Sequence, residues 1–357
     1  MTPYDFNNNK LKTLTLNLSR DCNLRCTYCF EGIDFRKSTG MMDKDTAILA
    51  TELFITQLGD DNGTIIFTGG EPLLNFNVIK EIINLISEKK KDNVKFFIKT
   101  NGTLITEEIC EYLVEHDVDL QISIDGHKTV HDYHRVFPNG KGSFEKVTKV
   151  INLLLERNYG HKVVLRATVT HHTVQFLEES FRYLKNHKGI RVFDIAPVMG
   201  QDGQDFVLTD DDTLMYAEHL FNIAKEEFLI NSEKYNNINL KFDGICGIGV
   251  WHLSIDVNGD IYPCYRLSGI REFLVGNIFK SGLSTTIPDK LAKLYSVSSR
   301  QECSNCYAKV LCQKGCYADK LLRSHSDICD DFLKQIGEFF LIENLVKSNA
   351  HMFLPLI

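Results

Sequence analysis

Leu14, Leu16 and Leu18 alternate with polar residues after Thr13, and this pattern predicts a strand over 13–18. The same reading predicts strands at 64–68, 94–99, 119–124, 162–169 and 191–195. Between them, apolar residues recur at helical spacing over about 43–58, 75–90, 106–116, 143–158 and 174–187. Strand and helix therefore alternate with short connections, which implies parallel strands joined by crossovers. Six such units are too few for a closed eightfold barrel. They predict an α/β fold, a partial (β/α)6 TIM-like barrel, with its chemistry at the C-terminal ends of the strands.

The chain divides further by composition. Residues 1–12 are polar and Asn-rich and read as a lead-in, and 13–198 hold the β/α units. Residues 199–240 read as a linker and bridging helix: Thr209 followed by Asp210, Asp211 and Asp212 is a helix start with acid in its first turn. Alternation in Trp251-His252-Leu253-Ser254-Ile255-Asp256 before Asn258-Gly259 predicts a hairpin. It lies in a small cysteine-rich segment, 241–335, followed by a helix and tail over 336–357.

At 357 residues, 43% apolar and 24% charged, the composition is that of an ordinary globular protein. A net charge of −7 without any basic block argues against nucleic acid as the main partner. No apolar run approaches a membrane span, and no basic-then-apolar leader is seen. The expectation is a cytoplasmic protein with no membrane partner. Eleven cysteines in such a chain point to metal or redox chemistry rather than a disulfide framework.

Three of those cysteines follow the first strand in Cys22-Asn23-Leu24-Arg25-Cys26-Thr27-Tyr28-Cys29, a C-x3-C-x2-C spacing. Three thiolates from one loop can hold three irons of a [4Fe–4S] cluster and leave the fourth open to an outside ligand. A zinc site, or three unrelated buried thiols, is the plainer alternative, although zinc usually takes four ligands from separated pairs. The second strand runs into Thr68-Gly69-Gly70-Glu71-Pro72. Two glycines allow a ligand close to the backbone and a carboxylate accepts from an ammonium, yet alone the stretch also reads as an ordinary turn.

The cysteine spacing, with Tyr28 before its last member, resembles the signature of the radical S-adenosylmethionine (SAM) superfamily, and Gly69-Gly70-Glu71-Pro72 resembles that family's motif for the SAM amino group. The resemblance implies a partial (β/α)6 barrel and a radical-generating cluster on Cys22, Cys26 and Cys29 whose open iron chelates SAM. One electron from that cluster then cleaves SAM to methionine and a 5′-deoxyadenosyl radical. SAM contacts are implied for Tyr28, Gly69, Gly70, Glu71, Asn101, Ser123 and Arg166. Arg166 interrupts an apolar strand, where a charge is costly unless paired; an outward, solvated arginine is the alternative. Asp125 lies at the same level, and the histidine-bearing stretch 127–135 is expected to cover the barrel mouth rather than bind metal.

Seven further cysteines form Cys246, Gly259-x4-Cys264, Cys303-x2-Cys306-x5-Cys312-x3-Cys316 and Cys329. This array resembles the SPASM extension of radical SAM enzymes, so the resemblance spans about 13–335. It implies an outer auxiliary cluster on Cys303, Cys306, Cys312 and Cys329, and an inner one on Cys246, Cys264 and Cys316. The cofactors expected are thus three [4Fe–4S] clusters and SAM, which suits an anaerobic host. Several relatives carry a further cysteine between the first two, and 247–263 contain none. The inner cluster is expected to keep an open iron, suited to a substrate thiolate, or to recruit His252 or Asp256. Cys110, in a helical stretch, is left as core.

SPASM enzymes act mostly on peptides or proteins, so the resemblance implies a polypeptide substrate and a reducing donor such as flavodoxin or ferredoxin. About a dozen residues precede the first strand, so leader recognition is expected from the barrel or from a separate leader-binding protein. The expected activity is hydrogen abstraction from a ribosomal peptide to form a thioether or carbon–carbon crosslink. The alternative is oxidation of a protein Cys or Ser to formylglycine, as in anaerobic sulfatase maturases. Those enzymes carry an acid directly after the Gly-x4-Cys cysteine. Here that place holds Tyr265, followed by Arg266, and both are candidate catalytic residues. A non-catalytic iron–sulfur electron carrier is a third alternative, disfavoured because it needs no SAM pocket.

Overall fold

The computed structural model describes residues 11–29, 40–190, 192–200, 203–231, 251–280 and 318. Six strands, β1 (Thr13–Ser19), β2 (Gly63–Gly69), β3 (Val94–Thr100), β4 (Asp119–Ser123), β5 (Val163–Val169) and β6 (Val192–Pro197), run parallel, each paired with the next in sequence. The crossovers carry α1 (Lys44–Leu58), α2 (Phe76–Glu88), α3 (Glu107–Glu115), α4 (Lys128–His134), α5 (Phe144–Glu156) and α6 (Leu177–Lys185). A singly wound order sends every crossover the same way and lays the helices on one face, as in a barrel. The α/β partial barrel is therefore the fold that the alternation predicts. The long helix α7 (Asp210–Asn231) follows β6.

Helix starts follow the local chemistry. Asp43 accepts from the Thr46 amide to cap α1, and Thr106 accepts from the Ile109 amide to cap α3. On β1, Leu14, Leu16 and Leu18 are fully buried in a core shared with Phe54, Ile79 and Phe67. Cys110 belongs to the same core and is fully buried, as expected.

The polar face of β1 is buried too, because the sheet continues past it. β7 (His252–Ile255) pairs parallel with β1 on its other edge, and β8 (Asp260–Tyr262) and β9 (Gly276–Asn277) follow antiparallel. The strand order is β6-β5-β4-β3-β2-β1-β7-β8-β9. The predicted hairpin thus forms, with Gly259 at φ +80° in its turn, and it is continuous with the barrel sheet. Thr15 Oγ1 meets His252 Nε2 at 2.7 Å across the β1–β7 joint.

An ion pair locks that joint. The Arg20 guanidinium donates to both oxygens of Asp256, at 2.9 and 2.5 Å, with side chains only 3% and 1% exposed. His252 and Asp256, named above as possible ligands of the inner auxiliary cluster, are engaged at this joint, the histidine with Thr15 and the carboxylate with Arg20. No helix among the described residues is long and apolar enough to cross a membrane.

Asp256→Asn takes this carboxylate charge away from a buried guanidinium. We expect a loss of about 3 kcal/mol, read as a lower urea midpoint. A midpoint equal to that of the parent enzyme would show that the pair does not hold the joint.

Candidate active site

The strand ends open into a cavity of about 270 Å³ lined by Cys22, Cys26 and Cys29 from the loop after β1. That loop is held from two sides. Toward β2, the Gly70 amide donates to the Ser19 carbonyl at 2.7 Å and the Glu71 amide to the Asp21 carbonyl at 2.9 Å. A Cβ at Gly69 would stand 2.2 Å from the Ser19 carbonyl oxygen, and one at Gly70 would stand 2.4 Å from that of Asp21. The two glycines are needed first because the cysteine loop lies directly on them.

Toward α4, the Arg25 amide donates to Val136 and the Thr27 amide to His134. Beneath Tyr28 lies a buried knot. Asp125 accepts from the Tyr28 hydroxyl at 2.6 Å, from Arg135 Nε at 2.8 Å and Nη2 at 3.1 Å, and from the Thr168 amide at 2.9 Å. Burial pushes the Asp125 carboxyl up, but the Arg135 guanidinium, His131 and the Tyr28 hydrogen bond together outweigh it and leave the group below its ordinary range. Histidines expected as a cover are structural ties: His131 reaches Ser143, and His134 reaches Thr170. Arg135 is a site residue that sequence reasoning missed, because seven helical residues before it are too few to show a period.

Glu71 is fully buried, and its carboxylate accepts from Thr100 Oγ1 at 2.7 Å, the Asn101 amide at 2.8 Å and the Leu73 amide at 3.1 Å. It ties β2 to the end of β3, while Gly69 and Gly70 before it line the cavity. Burial raises its pKa to about 7, against the pull of these donors. Asn101 does line the cavity, and its amide group turns to the cysteine loop, 2.9 Å from Asn23 Oδ1 and 3.6 Å from Cys22 Sγ.

Ser123 and Arg166 both line the cavity. The outward reading of Arg166 is thereby removed. Its guanidinium pairs with Asp194 at 2.5 Å, and Gln121 donates to the same carboxylate at 3.1 Å. Arg166 and Asp194 are register partners on β5 and β6, so opposite charges in two adjacent apolar strands were the available signal.

The opposite wall comes from the sheet extension. After Cys264, the short turn Tyr265–Leu267 brings Tyr265 and Arg266 into the cavity. Arg266 Nε donates to the Tyr265 hydroxyl at 3.2 Å, and the Lys99 ammonium lies 4.2 Å from the tyrosine ring centroid. Burial raises the phenol's pKa, but the Arg266 and Lys99 cations reverse that and lower it to about 8. Cys246, Cys303, Cys306, Cys312, Cys316 and Cys329 lie outside the described residues.

The donor set fits an iron–sulfur cluster. Among the described residues no three His, Cys, Asp or Glu side chains converge on one ion, whereas three soft thiols line a common cavity, as ligands of separate irons do. The Leu24 amide and the Asn101 amide group both point donors at Cys22 Sγ, which a thiolate would accept. Burial pushes the bare Cys22 thiol up to about 11 and Cys26 to about 12, so a metal must displace their protons.

Gly70→Ala forces the new methyl group against the Asp21 carbonyl and shifts the loop. Equilibrium dialysis is expected to show SAM affinity lower by about tenfold or more, with the fold kept. Unchanged affinity would remove the glycine from the SAM site.

Comparison with known proteins agrees with this geometry. Residues 16–184 match the family model of the radical SAM superfamily, and 246–307 match SPASM, an iron–sulfur cluster-binding domain. The chain is 26% identical to a cysteine-type anaerobic sulfatase-maturating enzyme of Clostridium novyi (strain NT), over 94% of this chain and 96% of that one. It is 26% identical to the radical SAM cyclopropyl synthase TigE of Paramaledivibacter caminithermalis, over 73% of this chain and 58% of that one. Among solved structures it shares the fold of native anSMEcpe with bound AdoMet and Cp18Cys peptide, with TM-score 0.77, 22% identity and 95% and 99% of the two chains covered. The two domains imply iron–sulfur clusters and SAM, and the chain belongs to the radical SAM superfamily as an enzyme with a SPASM domain.

Proposed function

We propose that this enzyme oxidises a side chain of a peptide or protein at the barrel mouth, with conversion of Cys or Ser to formylglycine as the first reading. One observation carries the general reading. A single cavity is walled on one side by the cysteine loop and on the other by the turn that follows Cys264. A substrate carbon inside it lies between a place of hydrogen removal and an exit for an electron. The choice of formylglycine is supported by the cysteine-type relative, which aligns along nearly all of both chains.

Cys22, Cys26 and Cys29 would hold a [4Fe–4S] cluster there, which with SAM would supply a carbon-centred radical able to remove one hydrogen atom from the substrate. Oxidation of a cysteine then needs one more electron and one proton to leave. The resulting thiocarbonyl takes up water and releases hydrogen sulfide. We assign SAM contacts to Arg166 and Ser123, which both line the cavity, and the Asp125 knot fixes the loop that holds the thiols. We assign Cys246, Cys264 and Cys316 to an inner auxiliary cluster and Cys303, Cys306, Cys312 and Cys329 to an outer one, three clusters in all. A flavodoxin- or ferredoxin-like donor and an anaerobic cytoplasm complete the reading.

A specific residue favours a second reading. Tyr265 stands where sulfatase maturases carry an acid, and a phenol still protonated at neutral pH is not a ready proton acceptor as a carboxylate is. Two hydrogens removed without that base can leave a thioether or carbon–carbon crosslink in a short peptide instead, and similarity to TigE, a cyclopropyl synthase, supports carbon–carbon bond formation.

Anaerobic co-expression with a cysteine-bearing sulfatase peptide, and separately with a short precursor encoded beside the gene, tests both. A hydrazide-reactive aldehyde on the first establishes the maturase reading. Loss of two hydrogens from the second, without aldehyde, establishes crosslinking. Deoxyadenosine release with both peptides unchanged would contradict a polypeptide substrate.

A further inference from the structure

Inside the barrel stands a lysine without a carboxylate. Lys99, next to last in β3, is half-buried and lines the cavity. The cavity's arginines from the barrel are answered, Arg135 by Asp125 and Arg166 by Asp194. Among the described residues no Asp or Glu forms an ion pair with Lys99. Its ammonium instead sits over the Tyr265 ring at 4.2 Å, and Arg266 donates to that tyrosine's oxygen from the same wall. None of the residues expected to contact SAM belongs to this trio.

An ammonium partly removed from water is costly unless an anion answers it, and a π face is a weaker partner than a carboxylate. An ammonium and a guanidinium beside one phenol both direct charged donors into the cavity. We propose that Lys99, with Arg266, binds a carboxylate of the substrate at or next to the reacting residue, and so selects an acidic segment. This rests on the polypeptide reading above and names the substrate class for it. The carboxylate has two sources, an Asp or Glu of the substrate and the methionine end of SAM. The proposal commits to the substrate.

The test uses the full chain, reconstituted and loaded with SAM, and two probes: acetyl-Gly-Gly-Asp-Gly-Gly-amide and its Asn counterpart. Calorimetry under argon is expected to show the acidic peptide binding about tenfold more tightly. Lys99→Gln abolishes that preference, Lys99→Arg retains it, and Lys99→Glu transfers it to the corresponding Lys peptide. Visible absorbance of the clusters reports the intact fold of each variant. Equal binding of both probes to the parent enzyme overturns the proposal, as does a preference that survives Lys99→Gln. A drop in SAM affinity in Lys99→Gln with the peptide preference intact assigns the ammonium to SAM and also overturns it. Binding is read without turnover, so its outcome is independent of whether a peptide is ever modified.

Discussion

The buried carboxylate of Asp125 accepts from four donors that belong to the cysteine loop, the segment after α4, and β5. Tyr28 lies between Cys26 and Cys29, so fixing its hydroxyl fixes the backbone that carries both thiols. The Arg135 side chain, 9% exposed, has this carboxylate as its counter-ion and also lies 5.3 Å from the Tyr28 ring centroid. Removing either charge would leave the other uncompensated in a dry setting, at a cost of about 3–5 kcal/mol. The loop is thus held by electrostatics that water cannot easily screen.

A second buried carboxylate does the same work on the other flank. Glu71 binds the Asn101 amide, and the Asn101 side chain in turn reaches Asn23 and Cys22. The glycines before it let the loop lie on β2 at contact distance. Loop, turn and strand ends therefore form one rigid rim. The lumen below it holds paired charges, Arg166 with Asp194, and one lysine that pairs with a ring. A rigid rim is what a site needs to hold a cofactor in one geometry.

Much of this was legible in the sequence because β/α alternation and cysteine spacing are local patterns. The six strands and the hairpin follow from such patterns, and the resemblance to a known family points to Ser123 and Arg166, which line the cavity. Other features depend on which distant residues meet. The alternation of β1 does not say what its polar residues meet, and Thr15 and Asn17 meet His252 and Ser254 of β7, far along the chain. Glu71 is legible as part of a motif, while the hydrogen bonds that tie it to Thr100 and Asn101 are not. Lys99 and Tyr265 acquire meaning only because β3 and the turn after Cys264 share a cavity.

The most direct test of a cluster site held in place by the Asp125 knot is the electron paramagnetic resonance spectrum of the reduced radical SAM cluster, with and without SAM, in Asp125→Asn. The auxiliary cysteines are replaced in this background so that only one cluster reports. The account predicts that the parent loop gives a SAM-dependent spectral change and that Asp125→Asn loses either the iron or that change. A variant that keeps its iron and responds to SAM as the parent does would contradict it.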